Sequence, residues 1–178
     1  NIALDLRPSL LDDLGLVSQG EAYDPVTDTW RRISSVNAPD PRVNHVAVWT
    51  GSRFLVWGGL DGAGFAGDGA AYDPVADVWE PIAAGGPSAR WKAAAAWTGT
   101  RMIVWGGSDA AGVVADGAAY DPVTDTWSAV SALGAPPPRD RPSTVWTGSR
   151  MIVWGGDAND PLVTQTGGSY DPAGDAWT

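Results

Sequence analysis

The chain contains no cysteine. Disulfides, thiolate nucleophiles and cysteine-ligated metals are thereby excluded. It has a single histidine, His45, so a zinc site would have to be built almost wholly from carboxylates. Lysine also occurs once, at Lys92, there is no basic run, and the formal net charge is −10. That balance opposes nucleic-acid phosphates and anionic membrane surfaces, both of which need clustered cations. No apolar run approaches the roughly 20 residues of a membrane span, so no membrane insertion is expected. The N-terminus lacks a signal-peptide pattern. No P-loop or nucleophile elbow occurs. No window carries a 3.6-residue apolar period between breakers, which disfavours helices.

What is present is uneven. The chain has 178 residues, 23 of them glycine and 14 proline, and 11 tryptophans against 2 phenylalanines and 4 tyrosines. The octamer YDPVTDTW occurs at Tyr23 to Trp30 and again at Tyr120 to Trp127. Two relatives, YDPVADVW from Tyr72 and YDPAGDAW from Tyr170, put the four tyrosines 49, 48 and 50 residues apart. A second motif keeps the same frame: WTGSRFLVWGG from Trp49, WTGTRMIVWGG from Trp97 and WTGSRMIVWGG from Trp146. Ten of the 11 tryptophans occupy three repeat positions, and only Trp91 stands outside them. A fixed period of this length is the mark of a repeat architecture.

One unit reads as four short strands. Val43 to Trp49 is the first, Arg53 to Trp57 the second, Gly69 to Tyr72 the third and Val78 to Ile82 the fourth. Short runs bounded by Gly, Pro and Asp are the all-β signal. In Asp73-Pro74, aspartate suits the first position of a type I turn and proline the second. Asp77 is placed to accept backbone hydrogen bonds across that turn, and Tyr72 and Trp79 fall on adjacent strands. The first strands are slim (AAAAW, STVW), as expected where strands crowd toward one axis. The fold class is therefore all-β, with propeller blades of four antiparallel strands.

The order Arg42, His45, Gly58-Gly59, Tyr72, Trp79 resembles the kelch repeat. The pattern returns at Arg90, Gly106-Gly107, Tyr120, Trp127 and at Arg139, Gly155-Gly156, Tyr170, Trp177, with Ala93 and Pro142 replacing the histidine. The resemblance covers residues 20 to 178 and implies kelch-type blades. Kelch-like propellers include a copper oxidase with a cysteine–tyrosine cofactor, and the lack of cysteine rules that chemistry out here. No cofactor and no metal are expected.

Three full units span 41–82, 88–130 and 138–178, preceded by a half-unit at 20–33 with only the third and fourth strands. Residues 1–19 lack the expected WGG strand, are leucine-rich, and could form a short helix over Ser9 to Leu16 with Ser9 as N-cap. The stretch LDLRPSLLDDLGLV resembles a segment of the dimerisation helices of bacterial sensor histidine kinases. It has no phospho-accepting histidine, and no kinase activity is carried over. Propellers close with about 4 to 8 blades. The chain is thus read as part of a longer protein, as a small ring completed by residues 1–19, or as half of a ring completed by self-association through open blade edges.

Residues that recur in every unit serve the blade; unit-specific ones are better candidates for a site. The aspartates of the YDP and DxW motifs are expected to cap turns, and Arg53, Arg101 and Arg150 to make structural ion pairs. The long second–third loops vary: GLDGAGFAGDG, GSDAAGVVADG and GDANDPLVTQTGG. Variable loops on a rigid scaffold are where binding usually resides. Candidate binding residues there are Asp61, Phe65, Asp68, Asp109, Asp116, Asp157, Asn159 and Thr164, joined by Arg42, Trp91 and Arg139 from the inter-blade links. The expected function is a non-catalytic scaffold for a protein or glycan ligand. The alternatives are a purely structural piece and an enzyme with a channel active site.

Overall fold

The computed structural model describes residues 3–5, 19–158 and 165–178. The helix expected over 9–16, the kinase-like stretch beyond residue 5, and Asn159 and Thr164 lie outside the described residues. Among the described residues there are 20 strands and no α-helix. No helix among them is long and apolar enough to cross a membrane.

The first sheet runs β1 (Ala3–Asp5), β2 (Glu21–Asp24), β3 (Thr29–Arg32). The sequence pattern expects only β2 and β3 here. The structure adds β1, paired with β2 from Ala3 opposite Tyr23 to Asp5 opposite Glu21, the place a second strand takes in the later units. The next segments are β4 (Arg42–Val43), β5 (Val46–Trp49), β6 (Phe54–Trp57), β7 (Leu60–Asp61), β8 (Gly64–Phe65), β9 (Gly69–Asp73) and β10 (Val78–Pro81). Of these, β5, β6, β9 and β10 form one four-stranded antiparallel sheet. The third unit repeats it with β11 (Ala94–Trp97), β12 (Met102–Trp105), β15 (Gly117–Asp121) and β16 (Thr126–Val130), and places β13 (Ser108–Asp109) and β14 (Gly112–Val113) in its long loop. The fourth has β17 (Ser143–Trp146), β18 (Met151–Trp154), β19 (Gly167–Asp171) and β20 (Ala176–Trp177). The innermost strands β5, β11 and β17 stand side by side.

The second strands are apolar throughout, and in the second and third units each is buried on both faces. Leu55 and Trp57 pack with Val46 and Val48 against Met102, Val104 and Tyr120 of the next blade. Phe54 and Val56, on alternate positions, join Ala22 and Ile33 of the preceding one. Ile103 and Trp105 likewise meet Met151, Val153, Tyr170 and Trp177. Trp57 and Trp105 are 1% and 0% exposed, and each buries apolar area that stabilises by roughly 4–6 kcal/mol before entropy is counted. On the fourth blade the matching face carries Trp154 and Val145, each 57% exposed.

The tyrosine and tryptophan of each octamer are direct cross-strand partners, Tyr72 opposite Trp79, Tyr120 opposite Trp127 and Tyr170 opposite Trp177. Their ring centroids lie 5.1 to 5.2 Å apart. The first aspartate caps its turn: Asp73 accepts the amides of Val75 and Ala76. The second does something else. Asp77 accepts the Tyr72 hydroxyl and the backbone amide of Ser34 in the blade before, while the indole Nε1 of Trp79 donates to the carbonyl of Ser34. Both backbone groups of one residue are thereby gripped by the next blade. Asp125 and Trp127 hold Ala83 in the same way, and Asp175 and Trp177 hold Ser131.

Bonds from the tyrosine hydroxyl, then from the gripped amide, hold the Asp77, Asp125 and Asp175 carboxyls below the ordinary carboxylate value of 3.8. A lowered folded-state pKa contributes stability that is complete above the unfolded value and is lost as pH falls through the folded one. The melting temperature should therefore hold steady at neutral pH and drop below pH 3.8. A triple Asp77→Asn, Asp125→Asn, Asp175→Asn variant, melted across the same pH series, should show a shallower acid drop. An equally steep drop would remove these carboxylates from the acid response.

Candidate binding face

Antiparallel strands alternate direction, so the first–second and third–fourth turns share one face. The long second–third loops and the inter-blade links share the other. The long loops are not the irregular segments that their composition suggests. In the second unit β7 and β8 form a small hairpin, and β4 from the incoming link pairs with β7, Arg42 opposite Asp61. The third unit has β13 and β14, with Trp91 bridged to Ser108, and in the fourth Asp140 is bridged to Asp157. The hairpin signal lies in Asp61-Gly62-Ala63-Gly64 and Asp109-Ala110-Ala111-Gly112. The aspartates cap the turns, Asp61 accepting from Ala63 and Gly64 and Asp109 from Ala111, and Gly64 and Gly112 supply φ of 126° and 125°.

The arginines of the links are internal. Arg42 is buried and donates to the carbonyls of Asp40, Gly58 and Asp68 and to both carboxylate oxygens of Asp68. Arg90 repeats this with Ser88, Gly106 and Asp116. Arg139 donates to the carbonyls of Pro137, Gly155 and Thr166 and to the Thr166 hydroxyl. Four of the sequence candidates, Arg42, Arg139, Asp68 and Asp116, are thus placed in the frame that holds each long loop to its blade. The double glycines belong to the same frame. A Cβ on Gly58 would stand 2.8 Å from the carbonyl oxygen of Arg90, and one on Gly107 2.6 Å from that of Trp91. Gly58, Gly59, Gly106, Gly107, Gly155 and Gly156 all take positive φ, a region open to glycine at little cost.

His45 packs beside Gly59, as Ala93 and Pro142 pack beside Gly107 and Gly156. Burial holds its imidazole below the ordinary pKa of 6.5, so it is neutral at pH 7. Interchange with alanine and proline marks it as a packing position. Among the described residues no three His, Cys, Asp or Glu side chains gather closely enough to hold a metal ion.

The remaining polar and aromatic residues of the loop face gather near the inner ends of the links, with Asn44 and Arg141 exposed and the Lys92 and Asp140 side chains only 11% and 10% exposed. Asn44, Lys92 and Arg141 occupy the same place in successive units at φ of 52°, 55° and 49°. The Lys92 amide donates to the Asn44 carbonyl and the Arg141 amide to that of Lys92, at 2.9 and 2.8 Å. This backbone chain sets the three residues side by side. The Phe65 ring meets Trp91 edge to face, centroids 6.1 Å apart, and the Lys92 ammonium lies 3.7 Å over the Trp91 ring. Lys92 is also 3.6 Å from Asp140, whose carboxylate accepts the Ser108 hydroxyl. Arg141 pairs with Asp157 at 2.6 Å, and Asp109 accepts from Ser88. The structure therefore joins Phe65 to Trp91 and sets Asp157 in a charged rim beside them. Lys92, Ser108, Asp140 and Arg141 were not singled out in the sequence. The sole lysine directly after the one tryptophan outside the repeat frame was the available signal.

Four-stranded blades that carry this double-glycine, tyrosine and tryptophan frame define a β-propeller of kelch-type repeats. Residues 15–178 match the family described as the KLHDC2/KLHL20/DRC7 Kelch-repeats domain, and the chain belongs to that family. Domains of this kind serve in general as protein-binding scaffolds. No curated protein matches the chain.

Proposed function

We propose that the chain is a non-catalytic scaffold that recognises a protein partner through the loop face, with Phe65 and Trp91 at the centre of contact. The observation that carries this reading is the Phe65–Trp91 pair, held by ordered hairpins and set beside Lys92 and Arg141. Rigid aromatics rimmed by charge are the usual anchors of protein interfaces. Phe65 is 37% exposed and unique to its unit, so the blade does not require it. Arg42, Arg139, Asp68 and Asp116 support the face from beneath, and Asp61, Asp109 and Asp157 border it.

A photoreactive amino acid at position 65 should cross-link a protein from cell extract, and one at position 123 on the short-turn face should not. Phe65→Ala and Trp91→Ala should each reduce capture about tenfold or more, as expected of interface anchors, with melting nearly unchanged for Phe65→Ala. Equal cross-linking from both faces would remove the loop face as the site. No cross-link from either would favour a purely structural role.

A further inference from the structure

The opposite face carries clefts that the proposed protein site does not use. Between the third and fourth blades lies one of about 950 Å³, lined by Thr98, Thr100, Arg101, Trp146, Ser149 and Asp171. Its floor is apolar, made by Ile103, Ala119 and Tyr170. Between the second and third blades a cleft of about 530 Å³ repeats the composition with Thr50, Ser52, Arg53, Trp97, Thr100 and Asp121. Both lie in the size range of small-ligand sites.

The chemistry of the two clefts matches. Each has a half-buried tryptophan from the end of an innermost strand, hydroxyls from the TGS or TGT turn, and an arginine with an aspartate of the next blade, Arg101 with Asp171 in the larger cleft and Arg53 with Asp121 in the smaller. Arg101 faces Asp121 at 3.6 Å and has a side chain 52% exposed. No side-chain hydrogen bond from Arg101 occurs among the described residues, so its donors remain available. Arg53 is paired with Glu80. Arg101 lines the larger cleft together with Tyr170 and Asp171 of the next blade, and Arg53 lines the smaller one together with Asp121 of the next blade.

We propose that these inter-blade clefts bind neutral pyranose sugars, with the tryptophan under the C–H face of the ring and the arginine–carboxylate pair on adjacent hydroxyls. A pyranose has one apolar face and a rim of groups that both donate and accept. It therefore needs an aromatic surface beside a fixed donor and a fixed acceptor. An anionic sugar fits poorly, because Asp121, Asp171 and Asp175 all line the larger cleft. A peptide fits less well than a sugar. Most of the larger cleft's wall is made by faces of β12, β15 and β19, whose backbone groups are engaged in sheet ladders, with only Ser128 and Ala129 coming from the edge strand β16, and extended peptides are usually held by free strand edges. This inference stands independently of the loop-face reading.

The test is saturation-transfer NMR on the chain with the methyl glycosides of glucose, galactose, mannose and N-acetylglucosamine. At least one should receive saturation, strongest on the protons of one ring face. The signal should fall severalfold in an Arg53→Ala, Arg101→Ala double variant, whose half-exposed side chains leave the fold intact. It should persist in Trp91→Ala, which lies on the other face. Absence of transfer from all four sugars, or transfer undiminished in the double variant, overturns the proposal. So does a peptide library that binds through the same arginines while the sugars give nothing.

Discussion

Alanine in place of Arg90 should lower the unfolding free energy by about 3–5 kcal/mol, a sum of lost hydrogen bonds to the carbonyls of Ser88, Gly106 and Asp116 and a void. The side chain is fully buried, and its guanidinium satisfies the carbonyls of Gly106 and Asp116 at 3.1 and 3.2 Å. Without it the Gly106 oxygen stays in a dry junction with no donor, at about 1–3 kcal/mol, while the Asp116 oxygen keeps only the Gly106 amide. The charge partner contributes little, because the Asp116 side chain is 58% exposed and can return to water. Asp116→Asn should therefore cost less than about 1 kcal/mol. Urea denaturation of the two variants separates the explanations: similar losses would make the ion pair, rather than the carbonyls, the stabilising element.

Trp79→Ala should cost a similar amount, about 3–5 kcal/mol for a buried indole. Trp79 is 6% exposed, lies 5.1 Å from the Tyr72 ring, and holds the Ser34 carbonyl at 2.9 Å. Trp79→Phe keeps much of the ring and removes only the donor, so about 1–3 kcal/mol should be lost. Trp30 has the same repeat position but is 42% exposed, and Trp30→Ala should cost clearly less than Trp79→Ala. Comparable losses at both positions would mean that the octamer stabilises its own hairpin and that the grip on the preceding blade adds nothing.

The two experiments bear on different parts of one mechanical design. Arg90 fastens a long loop to its blade and to the incoming link, which keeps the loop face rigid. Trp79 with Asp77 fastens blade to blade at the outer rim. A loop face used for recognition benefits from both, since a preorganised surface loses less entropy on binding.

Much of this was legible in the sequence, because repetition exposes local rules. The period of 48 to 50 residues, the Asp-Pro turns, the Tyr–Trp cross-strand pair and the four short strands all follow from turn chemistry and alternation, which act over a few residues. The double glycine was legible as a position, but its reason was not. Gly58 is required because the Arg90 carbonyl, 32 residues later, passes close by.

What only the tertiary structure decided is where each polar group finds its partner. Asp77 reads as a turn cap, yet its carboxylate binds Ser34 in the blade before. Arg42 and Arg139 read as candidate binding residues of the links, yet each is buried among carbonyls 16 and about 27 positions onward. Lys92 and Arg141 become neighbours only through a backbone hydrogen bond between successive links. The sequence by itself determined the blade and its repeat, since those rest on short-range backbone preferences. The tertiary structure determined which charges are buried and which remain to meet a ligand, because their partners lie from 16 to 45 residues away.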